Sequence, residues 1–144
     1  MSDPFFIFTT MVIGKSEFAT FLKKAGGVLD PDNPKHGRAS QGRRHVWIFL
    51  GDLGLDPLPE DVVARVTGRL GARPRSEVIL ELSSEPGTEA LVVDVAIAFA
   101  ELWPAVLSDS DKMTLALDDL RRVQREGTSL HTLSWVPVDR VNDR

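Results

Sequence analysis

The stretch from Thr88 to Trp103 constrains this chain most, because along it only Thr88, Glu89, Asp94 and Glu101 are polar. A helix that is apolar nearly all the way round has to be buried. Asp94 and Glu101 stand seven residues apart and share one face with Ala90 and Ala98, which predicts a core helix with a single narrow exposed stripe. Pro104 ends it. The remaining segments must supply the layers that cover this helix.

Phe5 to Ile13 is aromatic and β-branched on both alternating faces, which predicts a buried strand. After Gly14, Phe18, Phe21, Leu22 and Ala25 recur at helical spacing, with Ser16 as a capping residue and Gly26-Gly27 as the stop. Residues 28 to 44 hold Asp30-Pro31-Asp32-Asn33-Pro34, Gly37 and Gly42, and predict a long loop with room for a short hairpin. His45 to Leu50 predicts a second strand, with His45, Trp47 and Phe49 on one face and Val46, Ile48 and Leu50 on the other. Pro59 opens a helix that carries Val62, Val63, Val66 and Leu70 before Gly71.

Glu77 to Leu82 alternates cleanly, Val78, Leu80 and Leu82 against Glu77, Ile79 and Glu81, so one side of this third strand is expected to meet water or a partner. Ala105-Val106-Leu107 is a short fourth strand and Ser108-Asp109-Ser110-Asp111 a turn. A last helix runs from Leu117 to Glu126, and Leu130 to Val136 predicts an edge strand limited by Pro137. With 144 residues and no internal repeat, the whole of 1–144 is expected to form one domain.

Strands joined by helices imply parallel pairing through crossovers when those strands are neighbours. The expected fold is therefore α/β or α+β, a two-layer sandwich with a mixed sheet of four or five strands and helices mainly on one face. The other face would show Glu77, Ile79 and Glu81 beside either the aromatic or the aliphatic set of the second strand, unless the N-terminal segment or the region of Trp135 folds over it. The same arrangement would gather Asp52, Asp56, Glu85, Asp109 and Asp111 at one edge as a negative patch, suited to a basic protein surface or to a hard cation. Trp47, Glu77, Glu81 and those edge acids are the expected partner-binding residues.

Composition removes other chemistries. The chain has no cysteine, so disulfides, thiolate metal sites and cysteine nucleophiles are excluded. A formal charge of −4 argues against sequence-independent nucleic-acid binding, and the basic stretch Lys35-His36-Gly37-Arg38 with Arg43-Arg44-His45 reads as a solvated connection. Met1-Ser2-Asp3-Pro4 lacks the basic start of a signal peptide and Phe5 to Ile13 is too short to span a bilayer, so the expectation is a cytoplasmic protein with no membrane partner.

Ile13-Gly14-Lys15-Ser16 has the ending of a phosphate-binding loop, but the glycine needed five residues before Gly14 is Thr9. His36, His45 and His131 show no paired spacing for a metal, and Ser83-Ser84-Glu85-Pro86-Gly87 lacks the glycines that flank a nucleophilic serine. No catalytic residue, cofactor or metal ligand is assigned.

From Ser76 to Leu120 the chain reads Glu77-Val78-Ile79-Leu80-Glu81-Leu82, then Pro86-Gly87-Thr88-Glu89-Ala90-Leu91, then Phe99-Ala100-Glu101-Leu102-Trp103-Pro104-Ala105-Val106, and closes on Leu117-Asp118-Asp119-Leu120. This pattern resembles small immunity proteins of bacterial polymorphic-toxin systems. The resemblance implies a non-enzymatic protein that binds one cognate toxin and occludes its active site, often with acidic groups where the toxin is a nuclease. Two other functions fit the composition: a homodimeric structural or regulatory module using the sheet's open face, and a small metal-assisted enzyme in which Asp52 converges with Asp109 or Asp111.

Overall fold

The structure, a computed structural model, describes residues 4–55, 57–109 and 113–127. Its elements are, in chain order, β1 (Phe5–Thr9), α1 (Lys15–Lys24), β2 (Val28–Asp30), β3 (Asn33–Gln41), β4 (Arg44–Leu50), α2 (Glu60–Leu70), β5 (Ser76–Leu82), α3 (Thr88–Ala100), β6 (Ala105–Ser108), β7 (Thr114–Leu115) and α4 (Leu117–Glu126). The predicted tail strand at Leu130 to Val136 lies outside the described residues.

The described strands form one seven-stranded sheet in the order β2-β3-β4-β5-β1-β6-β7, more strands than the four or five expected. Every neighbouring pair is antiparallel, which corrects the expected parallel pairing. A helical connection forces a crossover only if nothing else in it can return the chain. Between β4 and β5 the helix advances only about 16 Å, and the nine residues before it can stretch over about 30 Å, so the chain regains the end it left. Between β5 and β6 the expected direction holds but adjacency does not. Both pair antiparallel with β1, which lies between them.

The sheet's two faces are covered unequally. Phe5, Ile7, Val46, Ile48, Val78, Leu80 and Leu107 point into the main core, where they meet Phe18, Phe21 and Leu22 of α1, the apolar surface of α3, and Leu120 and Val123 of α4. On the opposite face, Val66 of α2 packs with Phe8 and Val106, flanked by Phe6, Leu58, Val62 and Leu70. Helices thus lie mainly on one face as expected, with α2 the exception. It covers the β1–β6 end of the second face, and among the described residues no helix lies on the β2–β5 half; the region of Trp135, the other cover expected for it, lies outside the described residues.

α3 is the predicted core helix, buried along most of its length, and its exposed stripe is used to tie the helices together. Asp94 Oδ1 accepts a hydrogen bond from Gln124 Nε2 of α4 at 2.8 Å. Glu101, just past the helix, pairs with Arg121 of α4 at 3.1 Å and with Lys24 of α1 at 3.2 Å. The start of α1 differs by two residues from the reading that used Ser16: Gly14 is the N-cap, and its N–H donates to Glu17 Oε1 at 2.8 Å.

The supposed loop of residues 28 to 44 is the largest departure. It contains β2, β3 and the first residue of β4. Gly42 has φ +63°, while Arg43 after it does not have positive φ, the pattern of a two-residue type II′ hairpin that closes β3 onto β4. The two core-facing positions of β3 are Gly37 and Ala39, small residues that let α1 lie close against the strand. A Cβ on Gly37 would stand 2.4 Å from Leu22 Cδ1 and 2.9 Å from the Val28 carbonyl oxygen. Leu22 is buried and the carbonyl is backbone, so neither yields freely. Gly37→Ala is therefore expected to destabilise the fold by ~1–3 kcal/mol, read from the shift in urea midpoint at constant slope. An unchanged midpoint would mean that α1 does not sit on β3.

Candidate functional site

The uncovered half of the sheet is built from alternate residues of β3, β4 and β5. Because directly opposed residues of antiparallel strands share a face, the register fixes the surface. Arg38, Trp47 and Glu81 form one row across β3, β4 and β5, and His36, Phe49 and Ile79 form the next. The aromatic set of β4 is thus the one displayed beside Ile79 and Glu81, resolving the two alternatives that its sequence left open.

Aromatic contacts pave this face. The His36 imidazole stands edge-on to Phe49 with ring centroids 4.8 Å apart, and His45 tilts against Trp47 at 6.0 Å. Ser40 Oγ is 2.7 Å from His45 Nδ1 across the β3–β4 pair. Trp47 keeps 39% of its surface exposed although the strand carrying it is central in the open half. Towards the free edge, Val28 of β2, opposite Arg38, is also exposed on this face. Between that edge and the aromatics lies a groove of about 290 Å³, bordered by Val28, Leu29, Asp30 and Pro31 and floored by His36, Gly37, Arg38, Trp47 and Phe49. This shallow concavity of mixed apolar and polar lining is close to the lower size limit of ligand pockets and suits a single anchoring side chain.

Charge on this face is sparse and balanced. Arg38 and Glu81 are exposed, and among the described residues neither has a hydrogen-bond or ion-pair partner. Arg44, by contrast, is committed: its Nε donates to the Pro86 carbonyl at 3.0 Å, and its guanidinium lies against Gly87, which has φ +84°. The basic stretch therefore does not act as one patch.

The expected binding residues separate in the fold. Trp47 and Glu81 are on the open face. Glu77 is not; it is buried, opposite Phe8 in the register at the end of β5 that adjoins the α2 cluster. Among the described residues the edge acids do not gather at one end. Since β5 and β6 run opposite to β4, Asp52 follows β4 at one end of the sheet, whereas Glu85 and Asp109 follow β5 and β6 at the other. Asp52 Oδ1 caps its own turn by accepting from the N–H groups of Gly54 and Leu55, at 2.9 and 3.2 Å, and Asp109 Oδ1 accepts from Met113 N–H at 3.1 Å. Asp56 and Asp111 lie outside the described residues, as does His131.

This arrangement separates Asp52 from Asp109, one of the two convergences a metal-assisted reaction could use; the other, with Asp111, lies outside the described residues. Among the described residues no three of His, Asp or Glu gather as a cation site, and no helix is long and apolar enough to cross a membrane. Asp94 and Glu101 are held in the helix-tying contacts already described.

The Glu101 contacts have a pH signature. Hydrogen bonds from Arg121 and then Lys24 hold its carboxyl below the ordinary value of 4.5. A carboxyl with a lowered folded pKa adds stability that is complete above its unfolded pKa and disappears as pH falls through the folded one. Glu101→Gln is accordingly expected to lower the melting temperature slightly at neutral pH, with the gap to the parent closing below about pH 4.5. A gap that persists unchanged into acid would show that the carboxylate charge plays no part.

Sequence reasoning missed His36, Arg38, Val28 and Leu29 because it placed them in a loop. One signal was present: His36, Arg38 and Ser40 alternate with the small residues Gly37 and Ala39 just before a glycine-led hairpin. Comparisons of the chain with protein-family models, with curated proteins and with solved structures give no match.

Proposed function

We propose that this chain is a non-enzymatic, cytoplasmic protein-binding inhibitor, an immunity protein that neutralises a cognate bacterial toxin, and that it docks through the open β2–β5 half of its sheet. The observation that carries the reading is Trp47, exposed at the centre of an aromatic half-sheet on which no helix lies among the described residues. Interfaces draw most of their binding energy from a few large anchors, Trp, Tyr and Arg foremost, surrounded by groups that exclude water. Trp47 with Phe49 and Ile79 supplies the apolar centre, and Arg38 and Glu81 supply a polar rim.

The dispersal of the acidic edge changes the expected mode of binding. With Asp52 at the opposite end from Glu85 and Asp109, recognition in this reading rests on shape and apolar contact at the open face, with one charge of each sign for register. Coexpression with the product of the neighbouring gene tests the function. The expected result is that the neighbour is toxic alone, is tolerated in the presence of this chain, and copurifies with it. A neighbour that is harmless by itself, or one that is toxic but does not bind this chain, contradicts the reading.

A further inference from the structure

We propose that in the absence of another partner the open half-sheet closes on a second copy of this chain, about a two-fold axis that runs parallel to β4 and passes over Trp47. The inference rests on the reading of this face as a docking surface and names its resting occupant. Its basis is the row Arg38, Trp47, Glu81, in which a cation and an anion flank an indole on adjacent strands. Neither charge has a partner among the described residues. The outer two strands of the row are about 9.5 Å apart, with Trp47 midway.

In a two-fold interface a contact from one residue to another is repeated in reverse. Two sheets stacked face to face lie about 10 Å apart, within reach of an arginine and a glutamate extended from opposite sides. With the axis along β4, Arg38 of one copy meets Glu81 of the other, twice, and the Trp47 rings meet at the centre. With the axis across the strands, Arg38 would face Arg38 and Glu81 would face Glu81. The charge pattern therefore selects one of the two orientations, and Phe49 and Ile79 extend the apolar centre along the strands in both copies.

The surface is modest. Four strands about 19 Å wide along the length of β4 give about 450 Å² on each copy, near the low end of specific interfaces. The dimer is accordingly a rapidly exchanging one with a dissociation constant in the micromolar range or weaker. Binding of a tighter partner to the same face dissociates it.

Sedimentation velocity of the full chain from about 10 μM to about 1 mM tests this. The parent is expected to pass from monomer to dimer across that range and to dissociate as salt rises, because the paired charges are screened. Arg38→Glu and Glu81→Arg should each weaken the dimer by about tenfold or more, and the double variant carrying both changes should restore it. A parent that stays monomeric, a dimer indifferent to salt and to either reversal, or a double variant that fails to recover overturns the proposal. A monomeric chain that still binds the neighbouring gene's product through Trp47 removes self-association and leaves the docking reading intact. A dimer that follows the charge pattern but binds no such product does the reverse.

Discussion

Replacing Phe99 with alanine is expected to cost ~3–5 kcal/mol of folding stability, a large share of what a domain of this size has in total. Phe99 is fully buried on α3, edge-on to Phe21 of α1 at 5.0 Å and to Trp103 at 5.1 Å. Its ring thus joins three parts of the core that approach from different directions. Deleting it leaves a cavity in a close-packed core, which the surrounding side chains fill only in part. Urea unfolding of Phe99→Ala should show a much lower midpoint than the parent. A loss below about 1 kcal/mol would mean that α3 is not the element around which the domain packs.

The second large effect is on binding. Trp47→Ala should weaken association with the cognate partner by ~2 kcal/mol or more, about thirtyfold, in a titration calorimeter. The same substitution should leave stability within about 1 kcal/mol of the parent, because Trp47 points away from the main core and is substantially exposed. Loss of binding together with loss of folding would argue that the indole is a structural residue. Unaltered affinity would move the docking site elsewhere.

The parts of this fold that the amino-acid pattern disclosed are those in which burial dictates residue type. α3 is readable because an all-round apolar helix has one solution, and β4 and β5 are readable because their alternation matches a sheet with unlike faces. α4 is readable from Leu120 and Val123 and from the glycine, Gly127, that ends it with φ +68°. β3 was hidden for a physical reason. Its core positions are Gly37 and Ala39, chosen for the close approach of α1, so the strand carries almost no hydrophobic signal.

Strand direction was hidden for a different reason. Local sequence specifies that a helix lies between β4 and β5 but not that the nine residues before it carry the chain back, and the separation of β5 from β6 depends on β1 inserting between them, a contact between the N-terminal strand and segments about seventy to a hundred residues away. The site inherits both effects. Trp47 and Glu81 were legible because they belong to regular strands, whereas Arg38 required β3, and placing Asp52 beside Glu85 and Asp109 followed from assuming that β4 runs parallel to β5. Glu77 shows the limit of alternation: it shares a face with Glu81, but it lies beside the buried Phe8 with Gly51 close against its carboxylate, so one glutamate is buried and the other exposed.

Amide hydrogen exchange of the chain, alone and with the neighbouring gene's product at saturating concentration, tests the docking face most directly. New protection should fall on β3, β4 and the Glu81 end of β5, with α2, α4 and the buried face unchanged. Protection confined to α2 or α4, with the Trp47 strand exchanging as before, would contradict the assignment of the open half-sheet as the binding surface.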